Sequence, residues 1–213
     1  MSEQELELPK GWITVQLSDI VKNERFAIKR GPFGSHLRKE FFVQSGYKVY
    51  EQQYAINNDF SLGTYYINEE KFQELKSFEV KQGDMIISCS GTIGKIAVVP
   101  ENIKKGIINQ ALLKISLNVE VMPRKFFKYL FQFWMKKAQI ESHGSGMGNL
   151  SSVKALKKIP ILLPPLNEQK RIVSKIDELF SKIDYIKSLT PLADDKLELL
   201  KASILKKAFE GKL

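Results

Sequence analysis

The segment from Ile172 to Ile204 sets the tightest limit on what this chain can fold into. Stepping by four and three residues meets Ile172, Ile176, Leu179, Ile183, Ile186, Thr190, Ala193, Leu197, Leu200 and Ile204, and eight of these ten are large and aliphatic. An average spacing of 3.5 held over four to five heptads is the pattern of a coiled-coil seam, narrower than the stripe of a helix lying on its own domain. Lys, Glu and Asp fill most of the remaining positions, so the rest of the circumference is wet. About 40 residues at about 1.5 Å each would span roughly 60 Å, beyond the edge of a domain of this size. Such a helix needs a partner, and Ile172, Ile176, Leu179, Ile183, Ile186, Leu197, Leu200 and Ile204 are the expected dimer contacts. Pro191 lacks the amide proton that would bond the Lys187 carbonyl, and it pushes Thr190 away from helical angles. Two forms are therefore open: a rod kinked at Pro191, or two helices with Thr190 capping the second and the chain folding back as a hairpin. The seam keeps phase across the proline and leaves one or two residues for a turn, so the rod is the expectation.

The chain ahead of this helix is long enough, at 213 residues overall with 43% apolar, to bury a core of its own. No apolar run approaches the roughly 18 residues a membrane span needs, and the acidic start "MSEQELELPK" is unlike a secretory signal. A cytoplasmic protein is expected. The lone Cys89, inside "MIISCSG", reads as a small buried residue of a reducing compartment. The net charge of +9 is uneven: from Asn167 onward 10 Lys/Arg face 8 Asp/Glu, whereas residues 1–166 hold 23 against 16. A basic head of this kind gains free energy by releasing counterions from a polyanion such as a phosphate backbone.

Strand-like runs bounded by turn residues fill the first two thirds: "WITVQL", "YKVY", "TYYI", "MIISCS", "KIAVVP" and "ALLKISL". Phe126, Phe127, Leu130, Phe133, Trp134 and Ile140 then recur near a 3.6 period behind Pro123, which predicts one aromatic helix. Strands with one helix, rather than alternating βαβ units, give an α+β fold with a mixed sheet, followed by the long coiled-coil helix. Glycines in "GSGMGNLSS" predict a loop ending in a short helix capped by Ser151 or Ser152, and "IPILLPP" returns as a strand. Asn167 is the expected N-cap of the terminal helix, with Glu168 in its first turn. The domain boundary is placed between 1–166, the recognition head, and 167–213, the dimerisation and spacer helix.

Binding chemistry concentrates in a few places. Arg25, Lys29, Arg30, Arg38 and Lys39 occur between Glu24 and Glu40 with no acidic residue among them, around "RGPFGSHLR". Gly31, Pro32 and Gly34 shape a turn whose backbone could approach a phosphate, with Phe33 and Ser35 on it and Arg30 and Arg38 flanking it as phosphate or guanine contacts. A turn with solvated charges accounts for the same pattern. Gln52, Gln53 and Tyr54 form a candidate base reader, since glutamine pairs bidentately with adenine. Thr92 and Lys95 lie on the turn "SCSGTIGK", which serves structure as readily as binding, and Asn109 and Gln110 are expected to stitch backbone at a strand start. His143, Ser145 and Asn149 fall on the glycine-rich loop. His36 and His143 are the only histidines and have no cysteine neighbours, so no metal site is expected. "GSGMG" lacks the spacing of a dinucleotide or adenosylmethionine loop, "LPPL" lacks the partners that hold a flipped base, and Asp84 reads as a turn residue, so no catalytic site is expected on this chain.

The order "LPKGW", "GPFGS", "GDMIISCSGTIGKIAVVP", "NQALLKI", "GSGMGNLS", "IPILLPPLNEQKRIV" and "ILKKAFEGKL" resembles the specificity (S) subunits of type I restriction-modification enzymes, over nearly the whole chain. In that family each target recognition domain is followed by a long helix and a full-length subunit carries two such units, whereas this sequence carries one. The resemblance implies a half-subunit form: an antiparallel homodimer whose heads read double-stranded DNA. Methyltransferase (M) and restriction/translocase (R) subunits would bring S-adenosylmethionine, ATP and Mg2+, with no cofactor on this chain. A two-fold dimer reads one half-site twice in opposite orientation, so its target is an inverted repeat with a gap set by the spacer. A coiled-coil dimeric adaptor whose basic head binds a protein or DNA without any restriction-modification role is the alternative.

Overall fold

The computed structural model describes residues 9–141, 153–157, 159–189 and 194–212. Strand β1 (Ile13–Gln16) pairs antiparallel with β11 (Pro160–Leu163), Ile13 opposite Leu163, so the first strand is held by a segment almost 150 residues later. A four-stranded antiparallel sheet has the order β2 (Ile28–Arg30), β10 (Leu112–Ile115), β7 (Met85–Ser88), β8 (Ile96–Val98). A five-stranded sheet has the order β3 (Phe42–Val43), β5 (Tyr66–Ile67), β4 (Tyr47–Tyr50), β9 (Gly106–Ile108), β6 (Glu79–Val80), with β4 and β9 parallel. The helices are α1 (Gln52–Asn57), α2 (Glu69–Glu74), α3 (Arg124–Glu141), α4 (Val153–Lys157), α5 (Leu166–Leu189) and α6 (Asp194–Phe209). This is the α+β architecture with a mixed sheet that the run pattern predicts.

Strands β7 and β10 are buried along their whole length, which is why they read as unbroken apolar runs instead of alternating ones. One charged pair lies among them. Asp84 accepts the Lys81 amide at 2.8 Å and the Ser116 hydroxyl at 2.6 Å, and it stands 3.8 Å from Lys114, whose ammonium also donates to the Glu79 carbonyl. Burial pulls the Lys114 pKa below its ordinary value, and the Asp84 charge opposes that pull. Asp84 is thus the expected turn residue, fully occupied by structure.

The α3 helix opens with Phe127 donating to the Pro123 carbonyl, as its N-terminal proline predicts. Helix α5 begins two residues earlier than a cap at Asn167 would give: Pro165 supplies the carbonyl to Gln169, so Asn167 sits inside the first turn and is not the cap. Gln169 is 1% exposed and donates to the carbonyls of Val121 and Pro164, fixing the helix start to the head. About two turns further on, Asp177 accepts from both Lys125 and the Tyr129 hydroxyl, tying α5 to α3.

The expected rod is corrected here. Lys187 pairs with Glu198 at 3.1 Å and Asp184 with Lys201 at 2.7 Å, while the Lys201 ammonium sits 5.5 Å from the Phe180 ring centroid, so α6 runs antiparallel to α5. The Phe209 ring then stacks on Phe133 and meets Phe126 edge-on, with centroids 5.5 and 5.4 Å away, and Gly211, at φ +71°, lies against Pro9. Ile172, Ile176, Ile183, Leu197 and Ile204 are buried in the chain's own core and Leu179 packs against it, leaving only Ile186 and Leu200 of the expected dimer contacts exposed. The physical reason is a second stripe on α6, Leu205, Ala208 and Phe209, which is off the heptad seam and finds the aromatic face of α3. With two stripes to cover, helix α6 buries more apolar surface on its own head than along a rod. Residues 190–193, where Thr190 would cap α6, lie outside the described residues. Helix α5 starts at Leu166, and one core runs from Trp12 in the head to Phe209 in α6.

Phe209→Ala should therefore cost about 3–5 kcal/mol in urea unfolding of the whole chain, as for a buried core phenylalanine. An unchanged midpoint would mean that α6 does not dock on the head.

Candidate nucleic-acid interface

Four segments distant in sequence meet at one end of the two main sheets. Arg30, the last residue of edge strand β2, donates from Nε to the Gln110 carbonyl at 3.1 Å and from Nη2 to the Cys89 carbonyl at 3.4 Å. Gly31 donates its amide to the Leu112 carbonyl, and a Cβ there would lie 1.8 Å from the Asn109 oxygen. Only glycine permits that backbone approach. Cys89 donates its amide to Ala111, and Asn109 accepts the Ala111 amide at 3.0 Å, the stitching role expected of it. Gln52 enters from α1, its Nε2 lying 3.7 Å from where a Cβ on Gly91 would stand.

This geometry reassigns several expected contacts. Gly31 approaches its own chain and not a phosphate. Arg30 is a staple between two turns, although it remains partly exposed. Lys29 is partly buried with its ammonium 4.7 Å and 4.6 Å from the Phe26 and Phe78 rings. Tyr54 is 0% exposed and its hydroxyl donates to the Leu62 carbonyl; burial raises its pKa well above that of a free phenol, so it is not a base reader. Gln52, Gln53 and Tyr54 all lie on helix α1. Gln53 holds Glu51 at 2.9 Å, and the Gln52 Oε1 is shut from solvent with no hydrogen-bond partner among the described residues.

The exposed rim around this cluster is made of the other expected residues. Phe33 is 83% exposed, Gly34 has open space around it, Ser35 is exposed, and Arg38 makes only a solvent-facing 3.5 Å pair with Glu40. Thr92 and Lys95 are exposed on the β7–β8 turn, whose shape is set from inside: the Ser88 hydroxyl donates to the Thr92 carbonyl and accepts the Lys95 amide. Cys89 beneath it is mostly buried, and burial pushes its thiol up to about 11, keeping it inert. His143, Ser145 and Asn149 lie outside the described residues. Among the described residues no group of three or more His, Cys, Asp or Glu could hold a metal ion, and no helix is long and apolar enough to cross a membrane.

A second basic cluster was not read from the sequence. At the N-terminal ends of β4 and β9, Lys104 donates to the Tyr66 hydroxyl at 3.3 Å, Lys48 and Lys104 lie 5.6 and 5.3 Å from the Tyr66 ring, and Lys105 lies 5.7 Å from the Tyr47 ring. The adjacent "KK" before a strand was its only signal.

A basic α+β head with an α-helical hairpin defines a recognition module. The family model of the type I restriction modification DNA specificity domain matches residues 7–191, and the chain belongs to that family. It is 28% identical over 152 residues to the Escherichia coli type I restriction enzyme EcoBI specificity subunit, covering 69% of this chain and 31% of that one. It is 32% identical over 157 residues to the putative type I specificity subunit S.HindORF215P of Haemophilus influenzae, covering 68% and 40%. Against the MjaVIII specificity subunit of Methanocaldococcus jannaschii identity is 26% over 216 residues, 97% of this chain and 45% of that one. The chain thus spans less than half the length of these relatives. The fold is shared with the HsdS subunit of Thermoanaerobacter tengcongensis, at a TM-score of 0.61 and 20% identity, over 99% of this chain and 48% of that one.

Arg30→Ala should lower stability by about 2 kcal/mol because two turns lose a charged donor, whereas Arg38→Ala should change it by less than about 0.5 kcal/mol. Equal unfolding midpoints for both variants would remove the staple role.

Proposed function

We propose that this chain is the DNA-recognition part of a type I restriction-modification enzyme, acting in the cytoplasm, and that it supplies sequence choice while partner subunits supply the chemistry. Family membership over residues 7–191 is the observation that carries this reading. The excess charge of residues 1–166 and the exposed rim of Phe33, Ser35, Arg38, Thr92 and Lys95 favour a nucleic acid over a protein partner for the head. On this reading methyltransferase and restriction/translocase subunits bind S-adenosylmethionine, ATP and Mg2+, none of which this chain is expected to hold.

We further propose that two copies associate as a homodimer, not through the buried seam but through the outer face of the hairpin. The ion pairs Asp184–Lys201 and Lys187–Glu198 put residues 185 and 186 level with 199 and 200. Tyr185, Ile186, Leu199 and Leu200 are 67%, 46%, 71% and 46% exposed there, an unusual density of apolar side chains in water. Two hairpins joined at this level form a two-fold assembly, whose heads would read an inverted repeat across a gap.

Selection from random duplexes by the chain assembled with its methyltransferase subunits tests both statements. A gapped palindrome is expected; an asymmetric bipartite site would contradict the two-fold reading, and no enrichment would contradict DNA recognition. Leu199→Glu with Leu200→Glu should convert a sedimenting dimer to monomer without unfolding the chain.

A further inference from the structure

Resting on the DNA-recognition reading, we propose that the groove pair around Tyr66 is a DNA-backbone clamp, in which Lys48, Lys104 and Lys105 hold phosphates next to the base-reading end of the head. Two adjoining grooves, of about 590 and 320 Å³, share Tyr66 and Lys104 as their common wall. The larger also takes Tyr47, Lys105 and the Gln44–Gly46 turn; the smaller takes Lys48, Ser61 and Asn102.

The charge here is unspent. Lys48 is 5% exposed, yet its ammonium, which has three donors, makes one hydrogen bond, to the Gly63 carbonyl at 3.0 Å, and otherwise faces the rings of Tyr54 and Tyr66. Lys104 and Lys105 are exposed, and among the described residues none of the three lysines has a carboxylate within 4 Å. Two carboxylates lie near: Glu101 lines the smaller groove without forming an ion pair to these lysines among the described residues, and Glu69, which feels the charge of Lys105, is occupied by the Tyr47 hydroxyl and by Gln73. An ammonium kept out of water without a counter-charge is costly unless an anion arrives. Hydrogen bonding to Lys104 and the charge of Lys48 lower the Tyr66 pKa, which marks the same local excess of positive potential.

Placement selects the phosphate backbone over a free anion. Strands β4 and β9 are parallel, Lys48 opposite Gly106 and Tyr50 opposite Ile108. Their starts therefore carry the lysine grooves, and their ends lead directly into Gln52 and Asn109 of the Arg30 cluster. Three residues of strand separate the two ends by roughly 10 Å, within the footprint of one duplex lying along the pair. Lysine on a flexible stem acts as a point charge and carries no base information, which suits a positioning contact.

The test is fluorescence anisotropy of the full chain with duplex DNA over a salt series, wild type against Lys104→Gln with Lys105→Gln, both side chains being exposed and dispensable for folding. Each lost phosphate contact lowers the slope of log K against log salt by about 0.9, so the double variant should lose about two units of slope and bind all sequences more weakly while keeping the same preferred one. An unchanged slope in the double variant would overturn the clamp while leaving DNA recognition standing. Absence of salt-dependent binding in the wild type itself would overturn the recognition reading and the clamp with it.

Discussion

The docking of Phe209 on α3 governs the rest of this molecule. Three aromatic rings, Phe126, Phe133 and Phe209, join the last helix to the head, and Gly211 then brings the chain back against Pro9. Once α6 is held there, α5 is covered on its second side and the heptad residues become interior. A seam that would otherwise demand a second chain is satisfied within the first. What remains for a partner is the outer tip of the hairpin, where apolar side chains stay in water.

The head follows a similar economy. Its central strands leave no polar group of Asp84, Lys114 or Ser116 without a partner, so the sheet interior is fixed and the turns at its ends are positioned by it. Arg30 and Gly31 then lock the β7–β8 and β9–β10 turns to the edge strand. The rim residues gain a rigid base without taking part in it. The parallel pairing of β4 and β9 links this rim to the lysine grooves and aligns both on one axis.

Much of the fold was legible because burial leaves a mark on composition. Strands β4, β7 and β10 and helix α3 appear as apolar runs or a 3.6 period, and β1 and β11 are flanked by glycine and proline. Strands β2, β3, β6 and β9 and helices α1 and α2 were not, since two to six residues carry too little periodicity. The seam's unbroken phase across Pro191 and the short stretch left for a turn point to a rod, whereas the hairpin depends on a second stripe of α6, Leu205, Ala208 and Phe209, that lies off the heptad positions. Phe33, Ser35 and Arg38, near neighbours in sequence, are exposed together on the rim, as their polar and turn-rich surroundings suggest. Arg30 and Tyr54 look like binding residues in sequence and are turned inward by strand pairing and by α1. Lys48 gives no signal at all, since nothing local says that a lysine in a strand will be buried beside two tyrosines.

The direct measurement of the central claim is a distance between spin labels at Lys175→Cys and Lys207→Cys, with Cys89→Ala, diluted into unlabelled chain. These positions lie on α5 and α6 close to the same level of the hairpin. The folded-back arrangement predicts one short separation, about 20 Å or less, that persists on dilution. A separation near 48 Å, the span of 32 residues of continuous helix, would contradict it, as would a short distance that vanishes when labelled chains are diluted.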